Sequence, residues 1–239
     1  MSALDAALAG RVDRPLLAPL FAALAAEVEQ LDVDAFLADP GRRARIYADL
    51  ARTLRPDVLV VDSGSGWDAP AAAGATGPGG LAMIADLLQR VRAVVPPPTA
   101  LAVTVTGPAT RGGPLPVAVQ ATLAAARGAA EAGASVIFVD ERIDAAPDGY
   151  ARALTPLWGS LKFFRATGLL KAPWAGEVPR GPFLPCVTEP IDAPHALAVA
   201  PGEAARPGPS TALITHTEDL AGHVPIRDLQ AAVLGLIGR

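Results

Sequence analysis

The sequence predicts an α/β chain folded as a (β/α)8 barrel, the TIM-barrel architecture, with reduced C-terminal helices. Three observations carry this. Apolar runs of strand length alternate with longer helical stretches through the first half of the chain. Eight such strand-like runs occur along the 239 residues. The early connections are long enough for the helical crossovers that parallel strands need, whereas the later ones are short and rich in proline and glycine. An open three-layer sheet is the alternative arrangement of the same elements.

The elements follow in order. Leu16 to Phe21, after Arg14-Pro15, is the first apolar run, and alanine-rich Ala22 to Gln30 reads as helix. Asp39-Pro40 opens a helix over Gly41 to Leu54, with Ile46, Leu50 and Leu54 at helical spacing, and Pro56 stops it. Asp57 to Asp62 is a short apolar run ending in a carboxylate, as expected of a strand buried on both faces. The loop Ser63-Gly64-Ser65-Gly66-Trp67-Asp68 and a Gly/Ala/Pro tract follow it. The pattern then repeats. Leu81 to Val95 is helical, Pro96-Pro97-Pro98 breaks it, and Thr99 to Thr106 is a strand ended by Gly107-Pro108. Pro116 to Gly133 is a helix with an Ala-Gly stop, and Ala134 to Val139 is a buried strand leading into Asp140-Glu141-Arg142. Tyr150 to Thr167 reads as one helix despite Pro156. Four further strand-like runs follow at Leu169–Trp174, Phe183–Thr188, Ala196–Ala200 and Ala212–Thr215, and a helix over Pro225 to Ile237 closes the chain.

Composition narrows the function classes. With 51% hydrophobic and 18% charged residues the chain can bury a core, and its length suits a single barrel domain over 1–239. A net charge of −4 gives no electrostatic footprint for nucleic acid or an anionic membrane surface. Only two lysines occur, Lys162 and Lys171; the arginine-for-lysine bias and the abundant alanine read as GC-rich coding. One cysteine, Cys186, excludes an internal disulfide and a thiolate-rich zinc cluster, and makes the reducing cytoplasm the expected compartment. The first ten residues lack the basic-then-apolar pattern of a signal peptide, and no run of about 18 apolar residues predicts a spanning helix.

Four segments, taken in order, resemble the uroporphyrinogen decarboxylase superfamily, which includes the decarboxylase and the corrinoid-linked methyltransferases. They are Asp39-Pro40 with its helix, the run Asp57 to Asp62, the turn Val105-Thr106-Gly107-Pro108-Ala109-Thr110, and the helix-to-strand passage Glu131 to Asp140 with Ala132-Gly133-Ala134 in it. The resemblance spans residues 14–142 and implies the barrel fold. It further implies that Asp62 corresponds to the decarboxylase aspartate that meets substrate pyrrole nitrogens. Two family features have no counterpart: the arginine-bearing N-terminal arm that binds substrate carboxylates, and the methyltransferases' His-x-Cys with a distant cysteine. The fold is therefore implied more firmly than either activity.

In parallel barrels the strands' C-terminal ends line the site, which selects Asp62, Thr106, Asp140, Glu141, Glu189 and His216. Asp62 either stabilises positive charge on a reacting group or caps the loop through Ser63 and Gly64. Asp140 and Glu141 form either an acid/base pair, with Arg142 as ion partner, or a strand-end salt bridge. Arg111, beside Gly112-Gly113, suits a carboxylate or phosphate ligand, or is an exposed loop arginine. Trp67 either covers a flat ligand or packs on the rim. His216 is a candidate general acid or base; with Glu218, His223, Cys186, Glu189 or His195 it is also a conceivable metal ligand, though the spacing is nondescript.

Together these residues lead to a metal-free, cofactor-free decarboxylase or lyase for a small acidic substrate. Asp62, Asp140 and His216 are its expected catalytic residues, and Arg111, Thr106, Trp67 and Glu141 its expected substrate contacts. The alternatives are a methyltransferase using a corrinoid, folate or thiol carrier, and a barrel that has lost catalysis. A homodimer is expected, with no nucleic-acid or membrane partner.

Overall fold

A computed structural model of the chain describes residues 3–8, 14–20, 22–62, 67–68, 78–95, 97–177, 183–192, 194–200 and 205–216. Eight parallel strands and the helices between them build a nearly closed barrel. In chain order they are α1 (Ala3–Leu8), β1 (Leu16–Ala18), α2 (Ala22–Val28), α3 (Val33–Leu37), α4 (Pro40–Leu54), β2 (Val58–Asp62), α5 (Pro78–Val94), β3 (Ala100–Thr106), α6 (Pro108–Arg111), α7 (Leu115–Glu131) and β4 (Val136–Asp140). Then come α8 (Tyr150–Ala153), α9 (Thr155–Phe163), β5 (Thr167–Lys171), a 3-10 turn (Ala175–Glu177), β6 (Leu184–Val187), β7 (His195–Val199) and β8 (Thr211–His216).

The strands pair in the order β1-β8-β7-β6-β5-β4-β3-β2. The two ends of that order lie side by side and are stitched by a side chain. Asp57, just before β2, accepts from the Leu17 amide at 2.9 Å and holds the Arg14 guanidinium through bonds of 2.7 and 2.9 Å. Strand alternation divides the core in two. Leu16, Val60, Ala102, Phe138, Leu169 and Leu213 fill the barrel, and α1 adds Leu4 and Ala7 to them. Leu59, Val103, Ile137, Leu170 and Ile214 face outward, against Tyr47 of α4, Leu87 of α5 and Trp158 of α9.

Local chemistry sets the helix boundaries. Asp39 caps α4 by accepting from the Arg42 amide at 2.9 Å, and Pro40 occupies the first turn, where no amide is needed. Gly133 follows α7 at φ 105°, a backbone state that favours glycine.

Several boundaries differ from the sequence expectation. The single helix over Tyr150 to Thr167 is two helices, because Leu154 ends α8 and Pro156 sits in the first turn of α9. The strand expected over Leu169–Trp174 is displaced to Thr167–Lys171; Trp174 turns away to donate from its indole to the Ile143 carbonyl at 2.9 Å and to stack edge-on against Tyr150. Among the described residues no helix joins β6 to β7 or β7 to β8, in line with reduced C-terminal helices. The expected last helix, Pro225 to Ile237, lies outside the described residues. No helix among them is long and apolar enough to cross a membrane.

Candidate functional site

Parallel pairing sets the strand ends in register at one mouth of the barrel. Thr106 pairs with Asp140, Asp140 with Lys171, and Lys171 with Cys186. Asp140 and Lys171 continue the inward alternation of Phe138 and Leu169, so carboxylate, ammonium and thiol stand side by side facing the barrel axis. The three line a cavity of about 840 Å³, together with Leu20, Arg142, Glu177, Glu189 and Ile191.

Asp140 sits between two cations. Arg142 Nε reaches its Oδ2 at 2.8 Å, and Lys171 Nζ stands 3.8 Å from its Oδ1. The latter is an ion pair without a direct hydrogen bond, so the ammonium keeps donors for a ligand. Burial pushes the Cys186 thiol up to about 12; the Lys171 charge opposes that rise and Asp140 adds to it. At neutral pH the cavity therefore holds a thiol, not a thiolate.

Glu141 lines the same cavity but is tied into the scaffold. Its carboxylate accepts from the Ala109 amide at 2.9 Å, the Thr110 amide at 2.6 Å and the Tyr150 hydroxyl at 2.6 Å. It thereby satisfies the first amides of α6 and holds that short helix against β4. Burial, and then the Glu141 charge, push the Tyr150 phenol well above its ordinary range.

Thr106, Arg111 and Trp67 meet at a different place. Asp68 accepts from the Thr106 amide at 2.8 Å and its hydroxyl at 2.9 Å, and pairs with the Arg111 guanidinium. Arg111 also donates from Nε to the Thr106 carbonyl and to the Thr122 hydroxyl. The Trp67 indole donates to the Thr104 carbonyl at 2.9 Å. Thr104 and Thr106 present these backbone groups on the β2 side of β3, beyond the point where β2 stops. Trp67 and Asp68 thus supply the partners that a longer β2 would have supplied. The Arg111 side chain is only 7% exposed and fully engaged, and none of these three residues lines the cavity.

Asp62 is redirected by a bulge. Val60 pairs with Ala102, but Asp62 pairs with Val103, so Val61 is an extra residue in β2. Val103 faces the helices, and Asp62 shares its side of the sheet. There Arg43 of α4 meets it at 3.1 Å, with both side chains fully buried. Arg43 also donates to the Val61 and Leu37 carbonyls. Asp62 does not line the cavity. His216 shares its side of β8 with outward-facing Ile214, and its Nδ1 accepts from the Leu20 amide at 3.4 Å. Of the expected site residues the cavity therefore gathers Asp140 and Glu141. It adds Lys171, Cys186, Arg142 and Glu177, with Glu189 from the expected strand ends.

No family model matches the chain, and no curated protein does. Among solved structures it is similar to a methyltransferase from Methanosarcina mazei, at 14% identity and a TM-score of 0.75, covering 98% of this chain and 97% of that one. The likeness is one of fold. A dihydrodipicolinate synthase family protein from Coccidioides immitis overlaps at 19% identity and a TM-score of 0.35, over 67% of this chain and 44% of that one.

The metal ligands that the sequence suggested can be tested against this geometry. Among the described residues no three His, Cys, Asp or Glu side chains converge as a metal ion would need. His216 and Cys186 belong to opposite faces of the barrel wall, and Glu218 and His223 lie outside the described residues. The described donors do not fit a zinc site.

Lys171 is the residue that sequence reasoning passed over. Its signal was present: one of only two lysines, two and four residues after Leu169 and Thr167 on the inward face. The overlong strand expected there hid its place at the strand end.

Proposed function

We propose that this chain is an enzyme of the uroporphyrinogen decarboxylase-like barrel type that removes CO2 from a small carboxylic acid in the Asp140–Lys171 cavity. The observation that carries the reading is the in-register pair itself: a carboxylate and an ammonium, 3.8 Å apart, facing a cavity at the C-terminal mouth of the barrel.

Each group has a role. Arg142 and Lys171 draw the substrate carboxylate to the mouth. Asp140 holds the Lys171 ammonium in place. Its negative charge also disfavours the bound carboxylate relative to neutral CO2. When the bond to the carboxylate carbon breaks, the electron pair stays on the substrate carbon and CO2 leaves. Lys171 Nζ gives that carbon a proton and regains one from solvent, so substrate carboxylate plus one proton yields CO2 and the protonated product. Asp140 acts as the fixed charge that positions Lys171, and Glu141 holds the adjoining backbone.

A second reading, methyl transfer, is favoured by the fold likeness over nearly the whole chain and by the Cys186 thiol beside Lys171. The raised thiol argues against Cys186 as a methyl acceptor at neutral pH. A homodimer, as the resemblance implies, in the cytoplasm expected from the single cysteine, belongs to the proposal.

The deciding experiment incubates the protein with a panel of small carboxylic acids and measures released CO2. In parallel it is offered methylcobalamin or methyltetrahydrofolate with a thiol acceptor. Catalytic CO2 release, lost in Lys171→Met, is expected. Methyl transfer without CO2 release would overturn decarboxylation and establish the second reading; neither activity would favour a non-catalytic barrel.

A further inference from the structure

The cavity's charges do not suit a plain acid. Six ionisable side chains other than the thiol line it: Asp140, Glu141, Glu177 and Glu189 against Arg142 and Lys171. Arg142 and Lys171 already face Asp140, and Glu141 is satisfied by two amides and a phenol. Glu177, on the 3-10 turn before β6, and Glu189, just after it, remain. Both are exposed at the mouth, and neither carboxylate has a hydrogen bond or ion pair to a described residue. A dianion would bring a second negative charge towards two carboxylates that no described cation faces. Deeper in, the Lys171 ammonium keeps open donors, and the Cys186 thiol, 3% exposed, has no hydrogen bond to a described residue. Leu20, Ile191 and Pro173 give the walls between them an apolar character.

We infer that the cavity binds a zwitterion: a small acid whose carboxylate meets Lys171 and whose ammonium group, an apolar spacer away, meets Glu177 and Glu189. The inference rests on the proposed site and replaces the expected simple acid by an amino acid. Lys171 deep in the cavity and two carboxylates at the rim, with no counter-charge among the described residues, select for opposite charges at the two ends of the ligand. Neither charge is buried without a counter-charge in this pose, whereas either homo-charged analogue leaves one end repelled.

Titration calorimetry on the full chain tests this with compounds matched in length: glutarate, 5-aminopentanoate, pentanoate and 1,5-diaminopentane, with the four- and six-carbon sets alongside. The expected result is that, in at least one length set, the amino acid binds about tenfold or more tightly than the diacid. The Glu177→Gln/Glu189→Gln protein should lose that preference while its affinity for the monoacid holds within about twofold. Lys171→Met should lose the monoacid as well. Thermal melts of each variant confirm that the fold persists. If the diacid binds as tightly as the amino acid, the zwitterion inference falls and the acid-decarboxylase reading stands. If only the diamine binds, both fall. If no compound binds at millimolar concentration, the inference falls, and the CO2 assay alone judges the proposed reaction.

Discussion

Gly107 and Glu141 are packed so closely that no side chain fits between them. A β-carbon built on Gly107 would lie 2.2 Å from the Glu141 carboxyl carbon and 2.4 Å from its Oε1. Glu141 cannot yield, because the Ala109 and Thr110 amides and the Tyr150 hydroxyl hold it. The glycine of the Gly107-Pro108 turn is therefore a packing requirement of the neighbouring strand end.

The first expected outcome follows from that contact. Gly107→Ala should destabilise the fold by about 3 kcal/mol, from overpacking and from displaced buried hydrogen bonds. Urea unfolding measures it. A loss below about 0.5 kcal/mol would mean that Glu141 moves aside freely.

Arg43 and Asp62 form an ion pair with no solvent contact. Arg43→Met alone should cost about 3–5 kcal/mol, because it leaves a buried carboxylate without its cation. Arg43→Met combined with Asp62→Leu should recover a large part of that loss, in a double-mutant cycle read by urea unfolding. If Asp62→Asn instead kept full stability and abolished turnover, Asp62 would be catalytic after all.

Asp68 carries the join between β3 and α6. Asp68→Ala strips Thr106 of two bonds and leaves the Arg111 guanidinium without its carboxylate, so a loss of about 3 kcal/mol or more is expected. Arg111→Lys should not be silent either, since one ammonium cannot reproduce the guanidinium's separate bonds to Asp68, Thr106 and Thr122. Thermal unfolding of the two variants checks both statements.

Cys186 sets an alkaline limit. Its thiol ionises near 9 in the unfolded chain and is pushed to about 12 when folded. Between those values the folded state binds the extra proton, so stability should fall as pH rises through that window. Tyr150, also raised, adds to the same fall above about pH 10. Urea midpoints from pH 8 to 11 should decline, with a shallower slope in Cys186→Ala. A flat profile would mean that the thiol is not withheld from water.

How much of this was legible in the sequence can be read residue by residue. β2 and β4 are buried on both faces, so they appear as apolar runs unbroken up to their closing aspartates, and the strand end at Asp140 follows directly. Asp62 misleads for a definite reason. Alternation from Val58 and Val60 sends it into the barrel, and a one-residue bulge at Val61 sends it out, within a Val/Leu run that carries no Gly or Pro to announce it. Lys171 was hidden because Trp174 is apolar and extends the apparent strand, although its indole is committed to the Ile143 carbonyl. The Asp68–Arg111 pair joins positions 43 apart, and no local pattern encodes a contact between a turn and the end of a distant short helix. Strand existence is a local property of the chain; the side-chain direction at a strand end depends on the neighbouring strand.

The most direct measurement is kcat for CO2 release by Lys171→Met, beside the unaltered protein, on the best acid of the panel. A drop of about a thousandfold with an unchanged melting temperature is the expected result, because the variant keeps its cavity and loses its proton donor. Turnover within twofold of the unaltered protein would contradict the assignment of the chemistry to the Asp140–Lys171 pair.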